Sequence, residues 1–285
     1  MKTVSSPQEM KNLSFTLQKS GSTIGLVPTM GALHKGHLSL LSLASQQTDV
    51  KVMSIFVNPT QFAPGEDLEK YPRTLEDDIR RAENAGCDIL FVPSVSDMYP
   101  VNYSTFVDVE NIGQRLCGAS RPGHFRGVAT VVLKFFNIVN PQVAVFGQKD
   151  AQQVIVLKRM VHDLNLSVHI ETGPIIREND GLALSSRNVY LTNSERREAS
   201  LIYKGLIKAQ AAFHSGTVDT SQLRSLILEL YEGALYLTPE YIEIVDTLTL
   251  EPLERILDTA LVAVACRTKQ SDTRLIDNII LGGKL

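Results

Sequence analysis

Residues 28–40 of this 285-residue chain read PTMGALHKGHLSL, and the stretch joins two different patterns. The apolar run STIGLVP at 22–28 precedes it, and leucines at three- and four-residue intervals follow it. Gly31 permits a sharp backbone turn between the two. The stretch therefore predicts a buried strand that ends at Pro28, a turn, and a helix that begins near His37.

The same alternation of apolar runs and helical patterns continues through the first two thirds of the chain. Further predicted strands lie at 50–58, 87–93, 142–147 and 167–174. The predicted helices between the strands are HLSLLSLASQQ, TLEDDIRRAENAG and AQQVIVLKRMVHDLN. Strands that alternate with helices favour an α/β fold with a doubly wound parallel sheet, whose ligands bind outside the carboxyl ends of its strands.

After about residue 176 the pattern changes. The stretch SERREASLIYKGLIKAQAAFHSG predicts a long helix that is capped by Ser194 and stopped by Gly216. Three shorter strand-like runs follow it, YIEIV, ALVAVAC and TRLIDNIIL. We therefore predict a first domain over 1–176 and a smaller C-terminal α+β domain over 177–285.

The composition excludes several classes of function. A net charge of -3 and the lack of a long Lys/Arg run argue against a nucleic-acid binder. The polar N-terminus and the lack of an apolar run of about 18 residues predict a cytoplasmic protein with no membrane contact. Cys87, Cys117 and Cys266 are odd in number and scattered, as expected of free thiols in a reducing compartment.

His34 and His37 admit three interpretations. A helix N-terminus offers unpaired N–H groups and a positive dipole end, so the pair would suit a phosphate group. Gly36 would let a flat group approach the backbone closely. The histidines would equally serve as packing residues. As zinc ligands they would need further partners, and no nearby His, Cys or Glu cluster supplies them.

Three other stretches carry side chains suited to chemistry. In FGQKDAQQV, Lys149 and Asp150 would stand at the carboxyl edge of the sheet, either at a phosphate or in a solvated turn. In GLALSSRNVYL, two serine hydroxyls and a guanidinium at 185–187 would grip phosphate oxygens. After the second predicted strand, the amides of Asn58 and Gln61 suit a polar organic substrate.

The carboxylates of Asp77 and Asp78 form an adjacent pair in the segment that follows. A hard cation that accompanies ATP is usually held by one or two carboxylates together with phosphate and water, which makes the pair a candidate for Mg²⁺. The alternative is a solvated face of a helix.

Taken together, several stretches resemble the pantothenate synthetases, the pantoate-β-alanine ligase family of the nucleotidyltransferase superfamily. In chain order between residues 28 and 281 they are PTMGALHKGH, FVNPTQFAPGEDLEKYPRT, RPGHFRGVATVV, VFGQKDAQQ, DGLALSSRN and RLIDNIIL. Residues 34–37 are similar to the HxGH signature of that superfamily. The resemblance implies a Rossmann-like α/β fold, a homodimer, and a reaction that joins pantoate to β-alanine through a pantoyl adenylate, with ATP and Mg²⁺.

The resemblance also implies roles for individual residues. The residues expected to act on the ATP phosphates are His34, His37, Lys149, Ser185, Ser186 and Arg187. The residues expected to complete the ATP site are Pro28, Thr29, Met30, Gly147, Asp150 and Ile176. The residues expected around pantoate are Met30, Asn58, Gln61, Tyr71, Val131, Val132, Phe146 and Gln153. Asp77 is the expected Mg²⁺ ligand, and His124 and Arg126 stay undecided between the edge of the active site and a contact between subunits.

Overall fold

The computed structural model describes residues 1–285, which form two compact units. The first unit comprises Met1–Gln114, Gly118–Gly147 and Gln152–Gly173, and the second comprises Arg115–Cys117, Gln148–Ala151 and Pro174–Leu285. Arg115–Cys117 and Gln148–Ala151 thus belong to the second unit, although the chain on both sides of each segment belongs to the first. A single boundary in the sequence cannot describe this division.

The first unit is built on a parallel sheet of six strands. The strands are β1 (Lys2–Val4), β2 (Ile24–Thr29), β3 (Val50–Ile55), β4 (Ile89–Phe91), β5 (Val143–Gly147) and β6 (His169–Gly173). Their order is β1-β4-β3-β2-β5-β6, and every neighbouring pair is parallel. The predicted α/β fold with a doubly wound parallel sheet is confirmed.

The strand order reverses direction at β2. From β2 the chain proceeds to β3 on one side and then to β4, whereas β5 and β6 lie on the other side of β2. Where the order reverses, the connections that leave neighbouring strands diverge and leave a crevice outside the carboxyl ends. The turn after β2 therefore lies at the place in the sheet that is best suited to a ligand.

Helices connect these strands. They are α1 (Pro7–Lys19), α2 (Lys35–Ala44), α3 (Leu75–Asn84), α4 (Val95–Met98), α5 (Cys117–Ser120), α6 (His124–Val139) and α7 (Ala151–Asp163). The helical patterns that predicted α2, α3 and α7 are confirmed, whereas α1 and α6 were not predicted. No helix of the chain combines the length and the apolar character needed to cross a lipid bilayer.

The sequence pattern did not identify α6, the longest helix of the first unit. Its middle, VATVVLKFF, is rich in β-branched residues, a composition that is typical of a strand. Left-handed backbone conformations at both ends, Gly123 with φ +82° and Asn140 with φ +48°, delimit it.

The second unit is a smaller α+β structure, as predicted. Its antiparallel sheet has the order β7-β8-β9, with β7 (Leu237–Asp246), β8 (Ala260–Thr268) and β9 (Arg274–Leu281). The helices α8 (Asn193–His214) and α9 (Thr220–Leu228) pack on this sheet. Their shared core includes Ile202, Leu206, Leu223, Ile227, Val262 and Val264.

The start of α8 corrects the predicted cap. The N-cap is Thr192, not Ser194, because the Thr192 hydroxyl accepts the Glu195 N–H at 3.3 Å and the Glu195 carboxylate accepts the Thr192 N–H at 2.9 Å. The second oxygen of Glu195 accepts the N–H groups of Gln270 at 2.7 Å and Ser271 at 2.8 Å. This buried carboxylate therefore joins the first turn of α8 to the loop before β9.

The three cysteines are buried thiols. Burial raises the pKa of Cys87 to about 11 and the pKa of Cys266 to about 12. Both thiols stay protonated at neutral pH, so neither is suited to act as a nucleophile.

Glu195 should make the stability of the fold depend on pH. Burial by itself would raise the pKa of Glu195, but the backbone N–H groups of Ser271, Thr192 and Gln270 lower it from 4.5 to about 2. This contribution is fully present above pH 4.5 and is lost as the pH falls toward 2. At pH 7, Glu195→Gln should lower the free energy of unfolding by about 2–3 kcal/mol, measured by urea denaturation.

The difference between Glu195→Gln and the wild type should shrink steadily between pH 4.5 and pH 3.5. Glu229→Gln is the matched control, because its exposed ion pair with Lys208 should contribute less than about 1 kcal/mol. A difference for Glu195→Gln that stays constant from pH 7 to pH 3.5 would contradict this account.

Candidate active site

The turn after β2 is held by hydrogen bonds and requires a glycine. The Thr29 hydroxyl donates to the Ser54 carbonyl at 2.6 Å and accepts the Gly31 N–H at 3.2 Å. Gly31 has φ +84°, and a Cβ there would lie 3.0 Å from Asp78 Oδ2 and 3.1 Å from Ile55 Cγ2. The chain therefore reverses within a few residues, and α2 begins at the carboxyl edge of the sheet.

His34 and His37 lie at the first turn of α2 and face one another. His34 is the N-cap, and its Nδ1 accepts the Gly36 N–H at 3.1 Å, while Nδ1 of His37 accepts the His34 N–H at 3.3 Å. The two rings are stacked, with centroids 4.0 Å apart. A ring nitrogen that accepts a hydrogen bond carries no proton, so each neutral imidazole holds its N–H at Nε2.

This arrangement corrects two predictions about the turn. The helix begins at Lys35, two residues before the predicted start at His37, because the His34 side chain caps it. The flat group that approaches the backbone at Gly36 is the His34 ring itself, since a Cβ at Gly36 would lie 2.9 Å from Nδ1 and Cε1 of that ring.

The structure contains no group of three or more His, Cys, Asp and Glu side chains that would hold a metal ion. A structural zinc site needs four protein ligands in tetrahedral geometry. The pair of His34 and His37 therefore does not make such a site.

Asn58 follows β3 and is buried. Both polar atoms of its amide group have hydrogen-bond partners inside the protein. Its Nδ2 donates to the Gly127 carbonyl at 3.1 Å and to Gln61 Oε1 at 3.0 Å. Its Oδ1 accepts the Tyr99 hydroxyl at 2.8 Å and the Thr60 hydroxyl at 2.9 Å. Asn58 thus organises the turn, and this geometry disfavours the direct pantoate contact that was predicted for it.

The side chains of Gln61 and Met30 are in contact between the turn after β3 and the turn after β2. Gln61 Nε2 lies 3.1 Å from Met30 Sδ, and its Oε1 accepts from Asn58. The turn after β2 and the turn after β3 are thereby brought together, as expected from neighbouring parallel strands. Both side chains are half-buried, so they would be accessible to a ligand.

The carbonyl of Gln61 accepts hydrogen bonds from Arg121, which precedes α6, and from His124, the first residue of α6. His124 Nδ1 donates to this carbonyl at 2.8 Å, and Arg121 Nη2 donates to it at 3.2 Å. Arg121 also pairs with Glu66, at 2.8 Å and 2.5 Å. Burial would raise the pKa of Glu66, but the hydrogen bonds and charge of Arg121 hold it below its usual range. His124 therefore lies at the edge of the candidate site, whereas Arg126 stacks on the Phe106 ring at 4.3 Å.

The other predicted residues of the first unit lie on the elements around these turns. Val131 and Val132 are buried on α6, and Phe146 is buried on β5. Pro28 and Thr29 end β2, and Gly147 ends β5. Tyr71 is buried with its ring edge-on to Phe62, and Gln153 is half-buried in the first turn of α7.

Lys149 and Asp150 belong to the second unit, where a strand anchors their backbone. The Nδ2 atom of Asn278, on β9, donates to the carbonyls of Gln148 at 2.9 Å and Lys149 at 3.0 Å. Gln148 returns a hydrogen bond to Asn278 Oδ1 at 3.2 Å. These hydrogen bonds fix the backbone of Lys149, and its ammonium lies 3.8 Å from the Asp150 carboxylate.

Ser185, Ser186 and Arg187 begin a short 3-10 helix, Ser186–Tyr190, with Ser185 as its N-cap. The chain before it is tied at Ile176, whose carbonyl accepts the Leu184 N–H at 2.9 Å. It is tied again at Arg177, which pairs with the buried Asp277 at 2.6 Å. The ends of this loop are therefore anchored within the second unit.

Asp77, the predicted Mg²⁺ ligand, is held by two arginines. Arg81 Nε donates to Oδ2 at 2.6 Å and Arg80 Nη2 donates to Oδ1 at 3.1 Å, and these hydrogen bonds lower the pKa of Asp77. A cation bound there would have to displace two guanidinium groups. The geometry therefore disfavours Asp77 as a metal ligand.

The sequence did not reveal the structural roles of two residues, Asn278 and Asp78. Asn278 carried no signal, because an amide within the strand-like run TRLIDNIIL reads as an ordinary polar position. Asp78 was seen only as half of a carboxylate pair with Asp77. Its burial is visible only once α3 is packed on the turn after β2.

A parallel sheet of this order, with a His-x-Gly-His helix start at its point of reversal, defines an α/β protein of the HxGH nucleotidyltransferase class. The profile of the family described as pantoate-beta-alanine ligase matches residues 2–280. The pantothenate synthetase of Acetivibrio thermocellus is 51% identical over 281 residues, which is 99% of each chain. That of Thermosipho melanesiensis is 53% identical over 283 residues, 99% of this chain and 100% of the relative.

Solved structures of pantothenate synthetases also match this chain. Pantothenate synthetase from Thermus thermophilus superposes with a TM-score of 0.91 at 41% identity, over 98% of this chain and 99% of that one. The pantoate-beta-alanine ligase of Francisella tularensis, complexed with beta-gamma ATP and beta-alanine, gives a TM-score of 0.80 at 34% identity, over 98% and 97% of the two chains. This chain belongs to the pantoate-β-alanine ligase family.

Gly127→Ala should displace the Asn58–Gln61 turn. A Cβ at Gly127 would lie 2.3 Å from the Thr60 carbonyl oxygen and 2.7 Å from the Gln61 nitrogen, both backbone atoms. Helix propensity alone would favour alanine by about 1 kcal/mol, but the overlap should reverse the sign and lower the free energy of unfolding by about 1–3 kcal/mol. Denaturant unfolding measures this change, and a crystal structure shows the displacement.

Gly233→Ala is the matched control, because a Cβ at Gly233 meets nothing within 4 Å. It should leave the free energy of unfolding within about 0.5 kcal/mol of the wild type. If Gly127→Ala were as stable as this control, the close packing of α6 on the turn would be refuted.

Proposed function

We propose that this chain catalyses the ATP-dependent ligation of pantoate to β-alanine, which gives pantothenate, AMP and diphosphate. The observation that carries the proposal is the family match along residues 2–280. The Francisella tularensis ligase, whose structure aligns with 98% of this chain and contains beta-gamma ATP and beta-alanine, supports it.

The reaction proceeds in two displacements. A pantoate carboxylate oxygen attacks the α-phosphorus of ATP, the bond to the bridging oxygen breaks, and diphosphate leaves. The amine of β-alanine then attacks the acyl carbon of the pantoyl adenylate, the bond to the phosphate oxygen breaks, AMP leaves, and the nitrogen loses a proton. Both steps depend on alignment and on stabilisation of phosphate charge, so no side-chain nucleophile is needed.

His34 and His37 are the proposed donors to the phosphate groups. Their Nδ1 atoms are occupied by backbone N–H groups, which orients each ring and leaves its N–H at Nε2. Donors held in place before the reaction stabilise charge that develops on the departing diphosphate without reorganisation. The positive end of the α2 dipole favours the same negative charge.

Gln61 is the proposed anchor for pantoate, with Met30, Val131, Val132 and Phe146 as apolar surface for its methyl groups. The Gln61 amide is oriented by Asn58 and its backbone by His124, so it would meet a substrate hydroxyl or carboxylate at little entropic cost. Tyr71 and Gln153 complete the proposed pantoate residues, and Pro28, Thr29, Gly147, Asp150 and Ile176 complete those for ATP.

Lys149, Ser185, Ser186 and Arg187 are the proposed contributions of the second unit to phosphate binding. The adenylate reacts readily with water, so closure of the loop at 181–188 would protect it. Magnesium would accompany ATP, held by phosphate oxygens and water, because the carboxylates of this chain form no preformed metal group. A homodimer stays a prediction of the family resemblance, and a cytoplasmic location stays a prediction of the sequence composition.

The substrate requirement tests the proposed function. Diphosphate release from Mg·ATP should need pantoate, and sustained release of AMP should need β-alanine as well. His37→Ala should lower kcat about 100- to 1000-fold, because one positioned donor to the developing charge is lost. His162→Ala, an exposed histidine on α7, is the matched control and should keep wild-type activity.

Two results would count against the ligase. Turnover with a phosphate-bearing acceptor in place of β-alanine would indicate a nucleotidyltransferase. Binding of ATP without diphosphate release under any pairing of substrates would indicate a regulatory protein.

Asn278→Ala should weaken the use of ATP by releasing the backbone of Lys149. Two hydrogen bonds to the carbonyls of Gln148 and Lys149 are lost, so kcat/KM for ATP should fall about 5- to 30-fold. Asn12→Ala, an exposed asparagine on α1, should change nothing. An unchanged kcat/KM in Asn278→Ala would show that Lys149 needs no such anchor.

A further inference from the structure

Asp78 is a buried carboxylate, and the groups that donate hydrogen bonds to it are all uncharged. Its side chain is 1% exposed. Oδ1 accepts the Leu33 N–H at 2.7 Å, Oδ2 accepts the Ala32 N–H at 2.9 Å, and the Thr74 hydroxyl donates to Oδ2 at 3.3 Å. Burying a carboxylate without a positive partner is unfavourable, so its position points to a specific task.

The two amides converge on one carboxylate because of the backbone before His34. Gly31 and Ala32 both have positive φ, +84° and +49°. In this turn the N–H groups of Ala32 and Leu33 point toward one place, and successive backbone N–H groups in a turn can form a concavity that binds anions. Asp78 fills this concavity from α3.

Ala32 is strained in this conformation. A residue with a Cβ avoids the left-handed region, and it stays there only when the surroundings determine it. The hydrogen bond from the Ala32 N–H to Asp78 supplies that constraint. Two residues later the chain reaches His34, so any rotation at Ala32 would move both imidazoles.

We propose that Asp78 is a positioning residue for the reaction: its carboxylate locks the 31–33 turn and thereby fixes His34 and His37 where they meet phosphate. The inference rests on the proposed function. It assigns Asp78 a different task from a Mg²⁺ ligand, since a cation at this carboxylate would have to displace the two backbone N–H groups.

The test uses the full-length enzyme with Asp78→Asn. The asparagine keeps the volume but turns an NH₂ group toward one of the two N–H groups. We expect kcat to fall about 10- to 100-fold, as for a small misplacement of catalytic groups, while KM for pantoate stays within about twofold. The NMR signals of His34 and His37 should shift, and those of the exposed His162 should not.

Ala32→Gly supplies the rescue. Glycine adopts the left-handed region without strain, so the double variant Asp78→Asn/Ala32→Gly should recover part of the lost kcat. If the role of Asp78 were purely structural, Asp78→Asn would only lower the melting temperature. The added Ala32→Gly would then not raise kcat when the assay temperature is well below that melting temperature.

Asp49→Asn is the matched control. The Asp49 carboxylate also accepts a backbone N–H and a hydroxyl, both from Thr23, at the opposite end of β2. This variant should retain wild-type kcat and wild-type histidine signals. Should Asp78→Asn fail to fold, Thr74→Val replaces it, with an expected two- to fivefold lower kcat because the carboxylate loses one donor.

The outcomes separate the possibilities. Wild-type kcat and unshifted histidine signals in folded Asp78→Asn, or in Thr74→Val where it replaces that variant, would overturn the proposal. Restoration of Asp78→Asn by raised Mg²⁺ would overturn it in favour of a metal ligand. A wild type that forms no AMP from ATP in the presence of pantoate and β-alanine would instead reject the proposed function, and the histidine signals would still report whether Asp78 locks the turn.

Discussion

Parallel pairing on both sides of β2 is the constraint on which the rest of the candidate site depends. Because β2 hydrogen-bonds to β3 on one side and β5 on the other, the segment that follows it leaves the sheet where the strand order reverses. Gly31 turns the chain there, α2 starts there, and the turn after β3 arrives beside it, which brings Gln61 to Met30. The site follows from the topology before any single side chain is considered.

The chemistry of the first unit relies on neutral groups in fixed orientations. Imidazoles whose Nδ1 atoms accept backbone N–H groups, and an amide held by another amide, lie at the two turns that we propose as the substrate site. The charged side chains nearby, Arg121 and Glu66, pair with each other and steady the Gln61 carbonyl. Such a site needs little reorganisation during the reaction, because its dipoles already point the right way.

The fold was predictable wherever the sequence pattern was local. Buried Val/Ile runs and glycine-marked turns identified β2 to β6, and three-residue periodicity identified α2, α3 and α7. The helix α6 was missed because its middle is rich in β-branched residues, which are typical of strands, and β1 was missed because three residues make no pattern. In the site, the histidine motif was visible, but the tasks of Asn58, Asp78 and Asn278 were not. Each of these side chains acts on backbone atoms that are distant in sequence, and spacing along a chain does not show that.

The anchoring of Lys149 by Asn278 joins two segments 129 residues apart. A ribosome synthesises the chain from its amino end, so the lysine segment leaves the exit tunnel long before its anchor exists. The parallel sheet and the histidine turn can form in the meantime, because β1 to β6 are complete by residue 173. A nascent chain of that length therefore contains the histidine turn and its sheet, whereas the backbone of Lys149 gains its anchor only when β9 has been made.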